Sequence, residues 1–330
     1  MSVLRSNAVE SCWKCGLLLI LYLSAANIGL AQSDVAAVHI LPHLDRVTPS
    51  ARQATFRSNV DLVLVNVTVL DHANRTVMGL TPANFSLLED KHPQTIKYFS
   101  SDDQPLSLSI VLDASASMAP RMEQARKAVL DLVRTANPLD DISLVIVGDK
   151  PTVAVSFEDP VDMLPSRVEA LPAQGRTALW DAMFLAVTEL NHAHYQRRAM
   201  VVISDGGDNR SVYTESELKS LLEEADVQVY AVGLFDRFPA RNEERRGPRD
   251  LDELTSTSGG RLLVANDGDD LMRAVRQINQ ELRNEYIIGY VPNETAHSGK
   301  WRTIKVSISS PERHEKLRLY AKKGYYAAAE

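Results

Sequence analysis

Apolar positions along the chain fall into runs of different character, and their order predicts the architecture. From Val60 to Leu70 the chain is rich in β-branched residues and bounded by polar turn formers, which predicts a strand. Shorter strands are expected at Asn84 to Glu89 and Thr95 to Phe99, with a turn at Asp90, Lys91 and His92. Four compact apolar runs follow at Leu106–Leu112, Ile142–Val147, Ala199–Ile203 and Val227–Val232. They have the form of strands buried on both faces. Between them, Met122 to Thr135 places Ala125, Val129, Leu132 and Val133 on one helical face. Ala178 to Leu190 does the same with Leu179, Ala182, Met183, Ala186 and Leu190. Thr152 to Phe157 follows its predecessor too closely for a crossover helix and is expected to be an antiparallel edge strand.

Alternation of strand and helix predicts an α/β, Rossmann-like, doubly wound and mostly parallel sheet. After a helix expected at Asp269 to Leu282, the pattern returns to strands at Glu285–Val291, Arg302–Ser309 and Lys316–Ala321. The α/β domain is therefore placed at residues 104–284, between β-segments at 56–103 and 285–330. Either the two segments form one small β-domain into which the α/β domain is inserted, or they are separate appendages.

The amino terminus has a different character. Arg5 and Lys14 precede an apolar run from Gly16 to Leu23, and small residues lead to Ala31. Residues 1–31 are expected to be a signal peptide cleaved after Ala31, followed by a linker at 32–55. The alternative is an uncleaved anchor, for which the apolar run is short against the roughly 20 residues a span needs. No second run of that kind occurs, so no membrane span is expected after cleavage. The mature protein is expected to be exported, periplasmic or secreted. Both cysteines, Cys12 and Cys15, would leave with the leader, and stability must then come from core burial. The chain is 45% hydrophobic and 24% charged, which is ordinary for a folded soluble protein. Its net charge is −7. Arg5 and Lys14 against Glu10 contribute +1, so cleavage leaves −8, opposite to the basic surplus of nucleic-acid binders.

Chemistry concentrates at the carboxyl ends of the buried runs, where ligands of open parallel sheets sit. Asp113, Ser115 and Ser117 follow the first run, and their alternation lets one carboxylate and two hydroxyls turn inward from one loop. Alone, they are equally well explained as turn and cap residues. Thr177, in Gly175-Arg-Thr-Ala-Leu179, precedes a helix, and Asp205, in Ser204-Asp-Gly206, ends another buried run. Together the segments offer two carboxylates and three hydroxyls around one point, a hard oxygen set suited to Mg²⁺ or Mn²⁺.

These three motifs, in this order, resemble the metal-ion-dependent adhesion site of von Willebrand factor A domains. The resemblance covers about residues 104–284. The flanks, including Phe85 to Asp90 and Tyr286 to Tyr290, are similar to bacterial proteins known only as related to that family. The resemblance implies a rim metal held by Asp113, Ser115, Ser117, Thr177 and Asp205, with a coordination position that a carboxylate from a protein partner completes. It implies a binding module of the adhesion type and not an enzyme.

Two other functions remain open. A metal held by aspartates can activate water for hydrolysis, but no histidine stands beside the three motifs as a base, and no G-x-x-x-x-G-K loop occurs. His192 and His194 fall at a helix end. A structural scaffold whose metal meets no partner is the other alternative. Finally, the segment from Asp236 to Arg249 is expected to be a long polar loop emerging on the metal-bearing rim, with Arg237, Arg241, Arg245, Arg246 and Arg249 against Asp236, Glu243 and Glu244. Those arginines either pair with their neighbours or help select an acidic partner.

Overall fold

The computed structural model describes residues 62–236, 241–292, 299–309 and 316–327. The expected leader, the linker and Arg237 lie outside the described residues, which all belong to one unit, Ser58–Glu330. In chain order the first strands are β1 (Val63–Leu70), β2 (Phe85–Glu89), β3 (His92–Gln94) and β4 (Ile96–Ser100). The central elements are β5 (Ser107–Asp113), α1 (Met122–Thr135), β6 (Asp141–Val147), β7 (Thr152–Val155), α2 (Leu164–Glu169), α3 (Leu179–Leu190), β8 (Arg198–Ser204), α4 (Glu215–Ala225), β9 (Gln228–Gly233), α5 (Asn242–Ser258), β10 (Leu262–Val264) and α6 (Gly268–Arg283). The chain ends with β11 (Tyr286–Tyr290), β12 (Trp301–Ile308), β13 (Arg318–Ala321) and β14 (Gly324–Tyr326).

Six of these strands form one sheet in the order β10-β9-β8-β5-β6-β7, parallel except for β7 at the edge. Every residue of β5 is buried because helices cover both faces. On one face Ile110 and Leu112 pack with Ala125, Val129 and Leu132 of α1 and with Leu271, Val275 and Ile278 of α6. On the other, Val111 packs with Leu179, Met183 and Ala186 of α3, Leu218 of α4 and Leu251 of α5. The architecture is thus the α/β, doubly wound, mostly parallel sheet expected of the sequence, with additional antiparallel sheets beside it.

Those additional sheets interleave strands from both ends of the chain. One has the order β13-β1-β11-β4 and the other β14-β12-β2-β3. Their apolar faces share a core in which Val65, Val67, Tyr286 and Ile288 meet Phe85, Leu87 and Ile304. Phe85, Phe99 and Tyr286 form an aromatic trio, with ring centroids 5.2 to 5.7 Å apart. The turn expected at Asp90 to His92 is tighter than anticipated. Asp90 and Lys91 both have positive φ, and the strand after them, β3, pairs back on β2, whereas β4 joins the other sheet.

The long polar loop expected from Asp236 to Arg249 is corrected by α5, which begins at Asn242. Pro248 lies inside this helix behind Gly247. Two poor helix formers in a row hide the signal, while burial of Leu251, Leu254 and Thr255 supplies the driving force.

One buried ion pair joins the α/β layer to the interleaved strands. Glu285, fully buried between α6 and β11, accepts from Arg197 Nη2 at 2.7 Å, from Gln228 Nε2 at 2.6 Å and from Thr68 Oγ1 at 3.2 Å. Thr68 belongs to β1 and Gln228 opens β9, so one carboxylate gathers four segments. Removing its cation leaves a desolvated charge. Arg197→Met is expected to lower the unfolding free energy by about 3 kcal/mol. The double variant Arg197→Met/Glu285→Met should recover part of that loss. Urea denaturation of the two variants measures both values, and equal loss in each would show that the unpaired charge is not the cause.

Candidate metal centre

Parallel pairing sets the location. Leu112 of β5 lies opposite Ile203 of β8, so Asp113 and Ser204 end adjacent strands on the same rim. Asp113 has no exposed surface and Asp205 is 7% exposed. Ser204 Oγ donates to Asp113 Oδ2 at 2.6 Å and accepts from the Gly206 amide at 3.0 Å, while the Ser115 amide donates to Asp113 Oδ1 at 2.9 Å. The Gly207 amide donates to Asp205 Oδ1 at 3.2 Å. Asp113 is therefore held both by its own turn and by the end of β8, and Asp205 by the turn that follows it.

The hydroxyls come from neighbouring turns. Ser115 Oγ lies 3.1 Å from Ser117 Oγ, with Ser115 buried and Ser117 exposed. The loop that carries Thr177 is stitched to this turn by Gln174 N to Ala114 O at 2.8 Å and Ala116 N to Gly175 O at 3.1 Å. Gly175 has φ +80°, and a Cβ there would lie 2.7 Å from Asp149 Oδ2, so the crossing requires glycine. The Thr177 carbonyl accepts from the amides of Asn209 at 3.0 Å and Arg210 at 3.1 Å, and its amide donates to Asn209 Oδ1 at 3.1 Å. All five residues singled out in the sequence thus belong to loops of one rim. The Ser115 and Ser117 hydroxyls meet directly, while Thr177 is tied to them and to the segment after Asp205 by backbone bonds.

Some residues that shape the rim carry no signal of that role in the sequence. Ser204 orients Asp113 and stands beside Asp205 in the motif. Asp208 caps α3 from another segment, accepting from the amides of Leu179 at 2.8 Å and Trp180 at 3.1 Å. Gly247 of α5 lets the loop after Asp205 pack closely, since a Cβ on it would lie 2.5 Å from Gly206 O. That contact joins residues far apart in the chain, and only the fold reveals it.

The two histidines are at the other end of the sheet. His194 pairs with Asp141, the first residue of β6, at 2.9 Å. A cavity of about 680 Å³ also opens at that far end, between Leu64, Tyr98 and Ile287 on one side and Tyr195 and Arg198 on the other. It is separate from the rim.

Burial, reinforced by the charge of Asp205, pushes the Asp113 carboxyl up to about 6, against hydrogen bonds from Ser204 and Ser115 that favour its ionised form. Among the described residues no three His, Cys, Asp or Glu side chains gather as a metal-binding cluster; what the rim brings together is two carboxylates and neighbouring hydroxyls. That donor set fits a small hard dication, which relieves the repulsion between buried carboxylates and accepts neutral oxygen ligands.

Residues 108–207 match the family model of the von Willebrand factor type A domain, so the chain carries a domain of that type. No curated protein sequence matches the chain. Among solved structures it is similar to an aerotolerance-related membrane protein from Bacteroides fragilis, at 22% identity over 54% of this chain and 98% of that one, with a TM-score of 0.42. BatB, a conserved hypothetical protein from Bacteroides thetaiotaomicron, aligns at 18% identity over 53% and 98% of the two chains, with a TM-score of 0.41. A von Willebrand factor type A protein from Catenulispora acidiphila aligns over 83% of this chain and 75% of its own, at 13% identity and a TM-score of 0.47.

Because the folded Asp113 pKa lies above the unfolded one, the native state holds the extra proton between the two values. In chelator, stability should fall as pH rises from the ordinary aspartate range to about 6 and level off above it. Asp113→Asn is expected to remove this slope and to stabilise the chelated protein at neutral pH by about 2 kcal/mol. Chemical denaturation across pH 4 to 8 checks it, and parallel profiles for the two proteins would contradict the assignment.

Proposed function

We propose that this chain is an exported, divalent-cation-dependent protein-binding module of the adhesion type, with Mg²⁺ or Mn²⁺ held at the rim by Asp113, Ser115, Ser117, Thr177 and Asp205. The supporting observation is the convergence of three loops that put two buried carboxylates and neighbouring hydroxyls at one sheet end. Bound there, the ion supplies an electrophilic centre with room for an outside carboxylate. Asp113 and Asp205 provide the charge, Ser115 and Ser117 the direct neutral oxygens, and Thr177 an oxygen engaged with a partner present. The partner is a protein that presents an acidic residue.

A binding role is preferred to hydrolysis because Asp113 and Ser115 have no histidine base at the rim among the described residues, His194 being held at the opposite end by Asp141. Calorimetry should show Mg²⁺ or Mn²⁺ binding to wild type and none to Asp113→Ala, with wild type alone gaining thermal stability on metal addition. Equal binding by both would remove the site. Phosphoester and peptide substrates should remain intact with and without Mg²⁺, and metal-dependent turnover would favour the hydrolase alternative.

Export rests on the charged start, the short apolar run and the small residues before Gln32. None of the described helices is long and apolar enough to cross a membrane. Amino-terminal sequencing of the native protein should begin near Gln32, whereas a chain in the membrane fraction still starting at Met1 would indicate an anchor.

A further inference from the structure

We infer that the partner surface accepted by this rim is polyacidic: a run of aspartate or glutamate side chains, one directed at the ion and others at Arg176, Arg210 and Arg246. The first of these contacts rests on the metal-binding reading above. The others rest on the arginines alone.

Arg176 and Arg210 flank Thr177. Arg176 precedes it in the chain, with its amide fixed by Asp149 Oδ1 at 3.0 Å, and the Arg210 amide donates to the Thr177 carbonyl. Arg246 lies on α5 immediately before Gly247, whose backbone packs on Gly206 beside Asp205. All three are exposed, and among the described residues none of their guanidinium groups makes an ion pair or hydrogen bond. Asp250 senses the charge of Arg246 only at longer range.

Several other rim charges are engaged. Arg121 is paired with Asp236, and Arg241 lies 4.0 Å from Glu244. Asp208 and Asp181 accept amide hydrogens from Leu179, Trp180, Val212 and Tyr213. Both acids stand at the start of α3, where the helix dipole offsets their charge. An ion at the centre neutralises Asp113 and Asp205. The three guanidinium groups stand beside the site on a chain whose net charge is −7, with the exposed Asp149 carboxylate next to the Arg176 amide as the nearest opposing charge. An acidic partner meets a molecule of net negative charge, and these arginines supply local attraction beside the site. Planar guanidinium groups suit carboxylates better than a point charge would, and such contacts act on encounter and specificity.

The test uses the full mature chain and a fluorescein-labelled oligoglutamate peptide, with an oligoglutamine peptide of equal length as control, read by fluorescence anisotropy in Mg²⁺. The triple variant Arg176→Ser/Arg210→Ser/Arg246→Ser should bind oligoglutamate about tenfold more weakly at low salt, the difference shrinking as salt rises. Its Mg²⁺ affinity by calorimetry should equal that of wild type. Lys91→Ser/Lys97→Ser/Lys305→Ser, an equal charge change on the flanking strands, should stay within about twofold of wild type. Wild-type affinity in the rim triple variant, equal binding of oligoglutamine, or no binding of oligoglutamate to wild type would each overturn the inference. Peptide binding that survives chelator and Asp113→Ala but is lost in the rim triple would support the arginines and sink the metal reading. Loss only with Asp113→Ala would do the reverse.

Discussion

Parallel pairing of β5 with β8 is the constraint from which the rest of the rim follows. Parallel strands bring their carboxyl ends to one side, and the helices that return between them cover both faces of the sheet. Asp113 therefore leaves its strand already out of water, next to the end of a strand that delivers Asp205. Two carboxylates so placed repel one another and lack solvent to share the charge. Ser204 and the Ser115 amide offset part of this. On the proposed reading, what hydrogen bonds leave uncompensated becomes an affinity for a cation, to which the hydroxyls of the neighbouring turn would offer neutral oxygens.

The interleaved strands act at the other end of the same sheet. Thr68 of β1, Gln228 at the start of β9, and Arg197 just before β8 all reach Glu285. This junction sits where the central strands begin, and the rim sits where they end. The extra sheets can thus bury their own core and dock on the α/β layer without covering the rim loops. That separation gives the chain two surfaces with distinct demands. The junction needs exact pairing of desolvated groups, whereas the rim tolerates exposed charges in water.

Much of this was legible in the sequence, for identifiable reasons. Strands such as β5, β6 and β8 are buried on both faces, so their apolar runs are continuous and easy to see. The helices α1, α3 and α6 have strong apolar faces and lie within a residue of their expected limits. Less visible was α5, because Gly247 and Pro248 break its local preference while its stability comes from burial of Leu251 and Leu254. The helix α4 was missed although Thr214 and Glu217 form a reciprocal cap of a kind that sequence can reveal. The turn at Asp90 and Lys91 is legible, whereas β3 has only 3 residues with Pro93 among them, too short and too poor in strand formers for its pairing with β2 to show. At the rim, motif spacing located the five oxygen-bearing residues. The support from Ser204, Asp208 and Gly247 depends on contacts across the fold, which no local pattern encodes.

Charge at the rim divides by depth, and on the proposed reading that division assigns separate tasks. Buried carboxylates and an ion interact through a medium of low polarity, where a single well-placed oxygen from outside is worth much and geometry is demanding. Exposed arginines act through water and salt, where each contact is weak and its position forgiving. The ion would therefore select the kind of group that binds, while the arginines select the density of such groups around it. An acidic chain strengthens the second selection. Its net negative charge works against an acidic partner in general, and an orientation that presents several carboxylates to Arg176, Arg210 and Arg246 together offsets that cost. Discrimination on that reading combines the unfavourable net charge of the chain with attraction at the rim.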